Sequence, residues 1–105
     1  MNCIIALMLI AVFGLAHSAM VTYYIHPEFQ GQSDTVNLLG GVCHSLKAPF
    51  DKQLSSMNTW NSCVTLYRKS DCSGISFSLY PTTPCHDRFL DCDMEDIISS
   101  MKLCE

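Results

Sequence analysis

The densest reactive chemistry in this chain of 105 residues is its cysteines, seven in all. Cys43, Cys63, Cys72, Cys85, Cys92 and Cys104 lie beyond residue 18, while Cys3 falls in an apolar leader. Zinc would ask for Cys-x-x-Cys spacing and reduced thiolates. That spacing is absent, and an even count in a short exported chain reads as a disulfide framework. Fifteen pairings are open, and the sequence does not choose among them. His44 and His86 each follow a cysteine, but a Cys/His nucleophile pair needs a free thiol. The chain has no Gly-x-Ser-x-Gly elbow. Gly40-Gly41 lacks the Lys-Ser/Thr and following helix of a phosphate loop. These readings predict a protein that is not an enzyme, with His26, His44 and His86 at the surface or satisfied.

Oxygen ligands are the other chemistry on offer. Asp87, Asp91, Asp93, Glu95 and Asp96 crowd into ten residues with only Arg88 among them. Such a loop is either a solvated acidic surface or a place where carboxylates converge on a hard divalent cation. Six basic against ten acidic residues leave a net charge of −4. That balance disfavours nucleic acid and anionic membrane as partners, since both reward clustered positive charge.

Residues 1–18 read as a signal peptide. The stretch from Met1 to Ala16 carries no charged side chain, and Ile4 to Phe13 is an unbroken apolar run. Ala16 and Ser18 place small residues two apart for cleavage after Ser18. The run is shorter than the roughly 20 residues that a bilayer core needs. Residues 19–105 then form one small secreted domain, in which three bridges at about 2–4 kcal/mol each offset a limited core.

The elements that must position these groups are strands. Val21 to Ile25, Val64 to Tyr67 and Ile75 to Leu79 alternate apolar and polar, the last with Ile75, Phe77 and Leu79 on one face. Val36 and Leu38 mark a poorer strand in the first half. Leu54 to Trp60 and Ile98 to Cys104 supply the last strand of each half. Gly31, Gly40-Gly41, Gly74 and Pro81-Thr82-Thr83-Pro84 provide turns. Asp87 to Asp96 offers no more than a helical turn, and Trp60, near the join, is expected in the core or at an interface. A repeat underlies the pattern, with a period of about 43 residues. Tyr24 to Gly31 returns as Tyr67 to Gly74, Cys43-His44 as Cys85-His86, and Leu54-Ser55-Ser56-Met57 as Ile98-Ser99-Ser100-Met101. Units this short cannot enclose an apolar face alone and must pack on each other. The expected fold is an all-β sandwich of about four strands per half.

Tyr24, Phe29 and Gly31, followed by Ser56, resemble the Greek-key motif of the βγ-crystallin superfamily. Tyr67, Gly74 and Ser100 repeat it, with Cys72 where the aromatic is usual. The resemblance spans the whole mature chain, with Greek keys at about 20–60 and 61–105. It implies that Ser56 and Ser100 pin folded hairpins, and a disulfide at Cys72 is expected to replace the missing aromatic. It also implies calcium ligands: Asp51 and Ser55 in one site, and Glu95, Asp96 and Ser99 in the other. Lys52 and Arg68 depart from that pattern, so any calcium would be held weakly, and no cofactor is required. The resemblance implies a secreted structural or binding protein, monomeric, with an extracellular protein as a conceivable partner. The alternatives among small relatives are a metalloproteinase inhibitor, contacting through the loop at 81–84, and an antimicrobial or killer-toxin-like protein. The acidic balance argues against the last.

Overall fold

The computed structural model describes residues 17–104. Met1 to Ala16, which hold most of the predicted leader and its apolar run, lie outside the described residues. Seven strands run in the order β1 (Ser18–His26), β2 (Gln30–Leu39), β3 (His44–Ser45), β4 (Ser56–Asn58), β5 (Val64–Tyr67), β6 (Ser76–Leu79) and β7 (Ser100–Leu103). The acidic segment contributes one 3-10 turn, Phe89–Cys92. β1 starts at Ser18, so cleavage after that residue would remove a single ladder pair, Ser18 with Leu39.

The strands form two antiparallel sheets, β2-β1-β4 and β3-β7-β5-β6. β3 belongs by sequence to the first half, yet it pairs with β7 of the second. The second half returns the exchange through two backbone bonds: Met57 N–H donates to the His86 carbonyl at 2.8 Å, and Glu28 N–H to the Asp87 carbonyl at 2.6 Å. Each half therefore lends its third segment to the other's sheet, as a Greek-key pair requires.

Alternation decides which side chains meet between the sheets. Val21, Tyr23 and Leu38 face inward from the first sheet, and Val64, Leu66, Leu79, Met101 and Leu103 from the second. Leu54, Met57, Phe89 and Ile98 fill the space between them. One expectation fails here, and one of the two alternatives for another falls. Ile75 precedes β6 and is 67% exposed, because Gly74 turns the chain with φ +79 before the ladder begins. Trp60 is 62% exposed at φ 49, with its indole N–H reaching Thr22 Oγ1 at 3.5 Å. It caps the outer side of the join, not the core.

The six cysteines pair as Cys43–Cys72, Cys63–Cys104 and Cys85–Cys92, at sequence separations of 29, 41 and 7. Cys63–Cys104 joins the ends of the neighbouring strands β5 and β7, where Val64 opposes Leu103. Cys85–Cys92 closes the acidic segment on itself. Cys43–Cys72 ties the second hairpin to the entry of the exchanged strand β3.

Candidate functional site

The hairpins show how the repeat builds its local geometry. Phe29 and Cys72 sit at φ 57 and 56, and Gly31 and Gly74 at φ 83 and 79. This left-handed passage folds each hairpin back over its sheet. Ser56 Oγ accepts the Phe29 N–H at 3.1 Å and donates to the His26 carbonyl at 2.7 Å. Ser100 Oγ accepts the Cys72 N–H at 2.9 Å and donates to the Lys69 carbonyl. Both serines are fully buried. In the first hairpin the Tyr24 and Phe29 rings meet edge-on, 5.7 Å apart. In the second, the place of Phe29 is taken by Cys72, bonded to Cys43.

Each of these pinning serines follows another serine, and here the two halves differ. Ser55 and Ser99 are both buried, and their N–H groups donate to the Tyr24 and Tyr67 carbonyls at 3.0 and 2.9 Å. Ser55 Oγ donates to Glu95 Oε1 at 3.3 Å. Asp96 stands beside Glu95 at φ 60, its N–H bonded to the Leu54 carbonyl at 3.1 Å. Partial burial pushes the Asp96 carboxyl above the ordinary range, and the negative charge of Glu95 adds to the push. This first cleft, built from Ser55, Glu95 and Asp96, concentrates oxygen and negative charge. Such a donor set fits a hard cation.

Ser99 lies instead in a cleft of about 420 Å³ with Asp51, Lys52, Arg68, Lys69, Ser70 and Asp71. Lys52 takes the place of Asp96: its φ is 57, and its N–H donates to the Ile98 carbonyl at 2.9 Å. Three cations do not fit a calcium site, because they repel the metal.

The structure thus groups the sequence-derived ligands differently from the expectation. Ser55 meets Glu95 in place of Asp51, and Ser99 shares its cleft with Asp51, away from the Glu95–Asp96 turn. The reason is the course of the chain. Asp51 and Lys52 lie in a turn, Lys52 at φ 57, and only beyond Gln53 does the backbone lead into β4. The bond from Lys52 to Ile98 holds the first turn over the other half's strand, so each acid turn serves the serine of its neighbour. Among the described residues no group of three or more His, Cys, Asp or Glu side chains gathers as a metal site. Any calcium in the first cleft would therefore lean on hydroxyl and backbone oxygens besides Glu95 and Asp96.

Sequence reasoning missed a polar cluster where Tyr23 of β1 meets Asp34 of β2 and His44 of β3. Tyr23 Oη donates to Asp34 Oδ2 at 3.3 Å and lies 3.3 Å from His44 Nε2. Phe50 packs edge-on against Tyr23 at 5.1 Å. Burial, with help from Asp34, raises the Tyr23 phenol to about 12, and burial lowers His44 despite the opposing pull of Asp34. A protonated phenol and a neutral imidazole offer neither phenolate nucleophile nor imidazolium acid near neutrality. The signal that could have revealed the cluster was the β1–β2 register, which sets Tyr23 opposite Asp34. His86 Nδ1 lies 2.6 Å from the Thr83 carbonyl, a satisfied position as expected.

No protein-family model matches the sequence, and no curated protein is similar to it in sequence. Solved structures are similar in shape. A βγ-crystallin from an archaeon superimposes with a TM-score of 0.69 at 18% identity, over 84% of this chain and 100% of that one. A βγ-crystallin from Ciona intestinalis gives 0.66 at 18% identity, over 81% and 99%. The βγ-crystallin domain of the Abundant Perithecial Protein from Neurospora crassa, in its Ca2+-bound form, gives 0.56 at 19% identity, over 81% and 87%. With the exchanged third segments and the serine-pinned hairpins, these likenesses settle the architecture: the chain has the βγ-crystallin fold.

Proposed function

We propose that the protein is a secreted, non-enzymatic, disulfide-stapled βγ-crystallin-like protein that works as a monomeric structural or binding module and holds one calcium ion weakly. The observation that carries the calcium reading is the bond from Ser55 to Glu95 beside an Asp96 already burdened by its neighbour's charge. A cation there would relieve the repulsion between the two carboxylates. The Ca2+-bound form of the Neurospora domain, of the same fold, supports the reading. Export is supported by three disulfides, which persist in oxidising compartments. No helix among the described residues is long and apolar enough to cross a membrane. The non-enzymatic reading is supported by the described cysteines, which are all bonded and offer no thiol nucleophile.

The test is thermal unfolding of the oxidised protein with calcium or EDTA. At about tenfold excess over a millimolar dissociation constant, calcium should add about 1.4 kcal/mol and raise Tm by roughly 6–11 °C. Glu95→Gln should abolish the rise and Asp51→Asn should keep it. An identical Tm in calcium and in EDTA refutes the calcium reading.

A second reading, protease inhibition, is favoured by one surface. Pro81 shares a cleft of about 170 Å³ with the exposed Phe29 and Trp60, an aromatic face suited to a protein partner. Stoichiometric incubation with a metalloproteinase panel tests it, and undiminished protease activity removes it.

A further inference from the structure

The two serine clefts descend from one repeat, and their charges are opposite. Where the first has Glu95 and Asp96, the second has Asp51 and Lys52. The hairpin strands that border them carry Ile25 and His26 in the first half and Arg68 and Lys69 in the second. Half of the chain's six basic residues therefore line the cleft of Ser99. Its two carboxylates, Asp51 and Asp71, leave the cations in excess by one; the Ser73 hydroxyl and the charge of Lys69 both favour the ionised form of Asp71. Among the described residues, the ion pair within 4 Å joins Arg88 to Asp91, so none of the three cleft cations is held in one.

A second observation points the same way. Ser99 is 2% exposed, and among the described residues its hydroxyl has no hydrogen-bond partner, whereas the related Ser55 hydroxyl is satisfied by Glu95. A buried hydroxyl left unpaired is disfavoured unless something completes it. Beside three cations, the group that completes it is an acceptor carrying negative charge.

We propose that Lys52, Arg68, Lys69 and Ser99 form a binding site for a tetrahedral oxyanion, phosphate or sulfate, free or as a monoester. Arg68 supplies a planar fork for two oxygens, Lys52 and Lys69 supply point charges, and the Ser99 hydroxyl donates from the buried side. The site is open to solvent, so its affinity is of millimolar class, and it favours dianions over chloride. It is independent of calcium in the other cleft.

The experiment is an amide-resolved NMR titration of the oxidised protein in EDTA at fixed ionic strength, with sodium phosphate, sodium sulfate, O-phosphoserine and chloride as separate arms. Saturable shifts centred on Lys52, Arg68, Lys69 and Ser99 are expected with the divalent oxyanions and not with chloride. Stronger binding of O-phosphoserine than of inorganic phosphate assigns the site to esters, and the reverse assigns it to the free ion. Arg68→Gln and Lys52→Gln should each weaken binding about five- to tenfold, and Lys47→Gln should not change it. Ser99→Ala should weaken binding without lowering the anion-free Tm, since its hydroxyl makes no bond to lose. Shifts that stay linear, that chloride reproduces, or that survive the double variant Arg68→Gln/Lys52→Gln overturn the proposal.

Discussion

Ser56 and Ser100 each serve two backbone groups of a folded hairpin from a fully buried position. Replacing either by alanine leaves a buried N–H and a carbonyl without that partner, at a cost of about 1–3 kcal/mol. Urea unfolding of Ser56→Ala and Ser100→Ala should show losses of that size, whereas Ser99→Ala should show none. His44 supplies a pH signature. Its folded value lies below the ordinary 6.5, so the fold favours the neutral ring. Its contribution is intact at higher pH and declines as the pH drops below 6.5, where the unfolded chain takes up the proton first. His44→Gln should flatten that part of a stability–pH curve. Asp96 works in the opposite sense. Its raised folded value favours the protonated form, a contribution present below the ordinary carboxyl value of 3.8 and lost as the pH rises through the folded value. Asp96→Asn should therefore raise Tm at pH 7 in EDTA, and the gain should vanish in acid.

At the scale of the hairpin, the two halves solve one problem by different chemistry. The first covers its fold with Phe29 against Tyr24, and the second anchors Cys72 to Cys43. A bridge spanning 29 residues contributes about 3.5 kcal/mol in the chain-entropy model. Cys43→Ser/Cys72→Ser should lower stability by about that amount. It should also speed amide exchange in 68–74 while leaving 25–31 protected, and equal protection of both hairpins would refute the substitution of bridge for ring. The glycines differ too. A Cβ on Gly31 would stand 2.4 Å from His26 Cδ2, but one on Gly74 only 3.3 Å from the flexible Lys69 chain. Gly31→Ala should cost more than Gly74→Ala in the same unfolding assay. The repeat, the strand alternation and the breakers made these elements legible in the sequence. Ile75 and Trp60 were not, because alternation says which face a residue takes only where the ladder continues, and both stand at left-handed turns or beside them. The composition of the two serine clefts was hidden for another reason. Each acid stands in a turn that carries it away from the serine next to it in sequence, and the acid that shares a site with each serine lies 40 or more residues away.

For the whole molecule, the two sheets are laced by the crossing of β3 into the second half and of the 85–87 segment toward the first. Cys43–Cys72 locks one of these crossings covalently. Reduction should therefore weaken the union of the halves as well as one hairpin, and a single cooperative unfolding transition is expected in the oxidised protein by both calorimetry and circular dichroism. The acidic and basic clefts give the body an uneven charge despite its net −4, with carboxylates at one turn and ammonium and guanidinium groups at its mate.

Because each half carries a segment whose backbone partners lie in the other, neither can be a self-sufficient fold. A gene encoding one repeat alone would yield a polypeptide with an orphan arm and an empty berth, complementary to each other. Two such copies related by a two-fold axis would satisfy both, so a single repeat expressed alone should sediment as a dimer and not as a folded monomer.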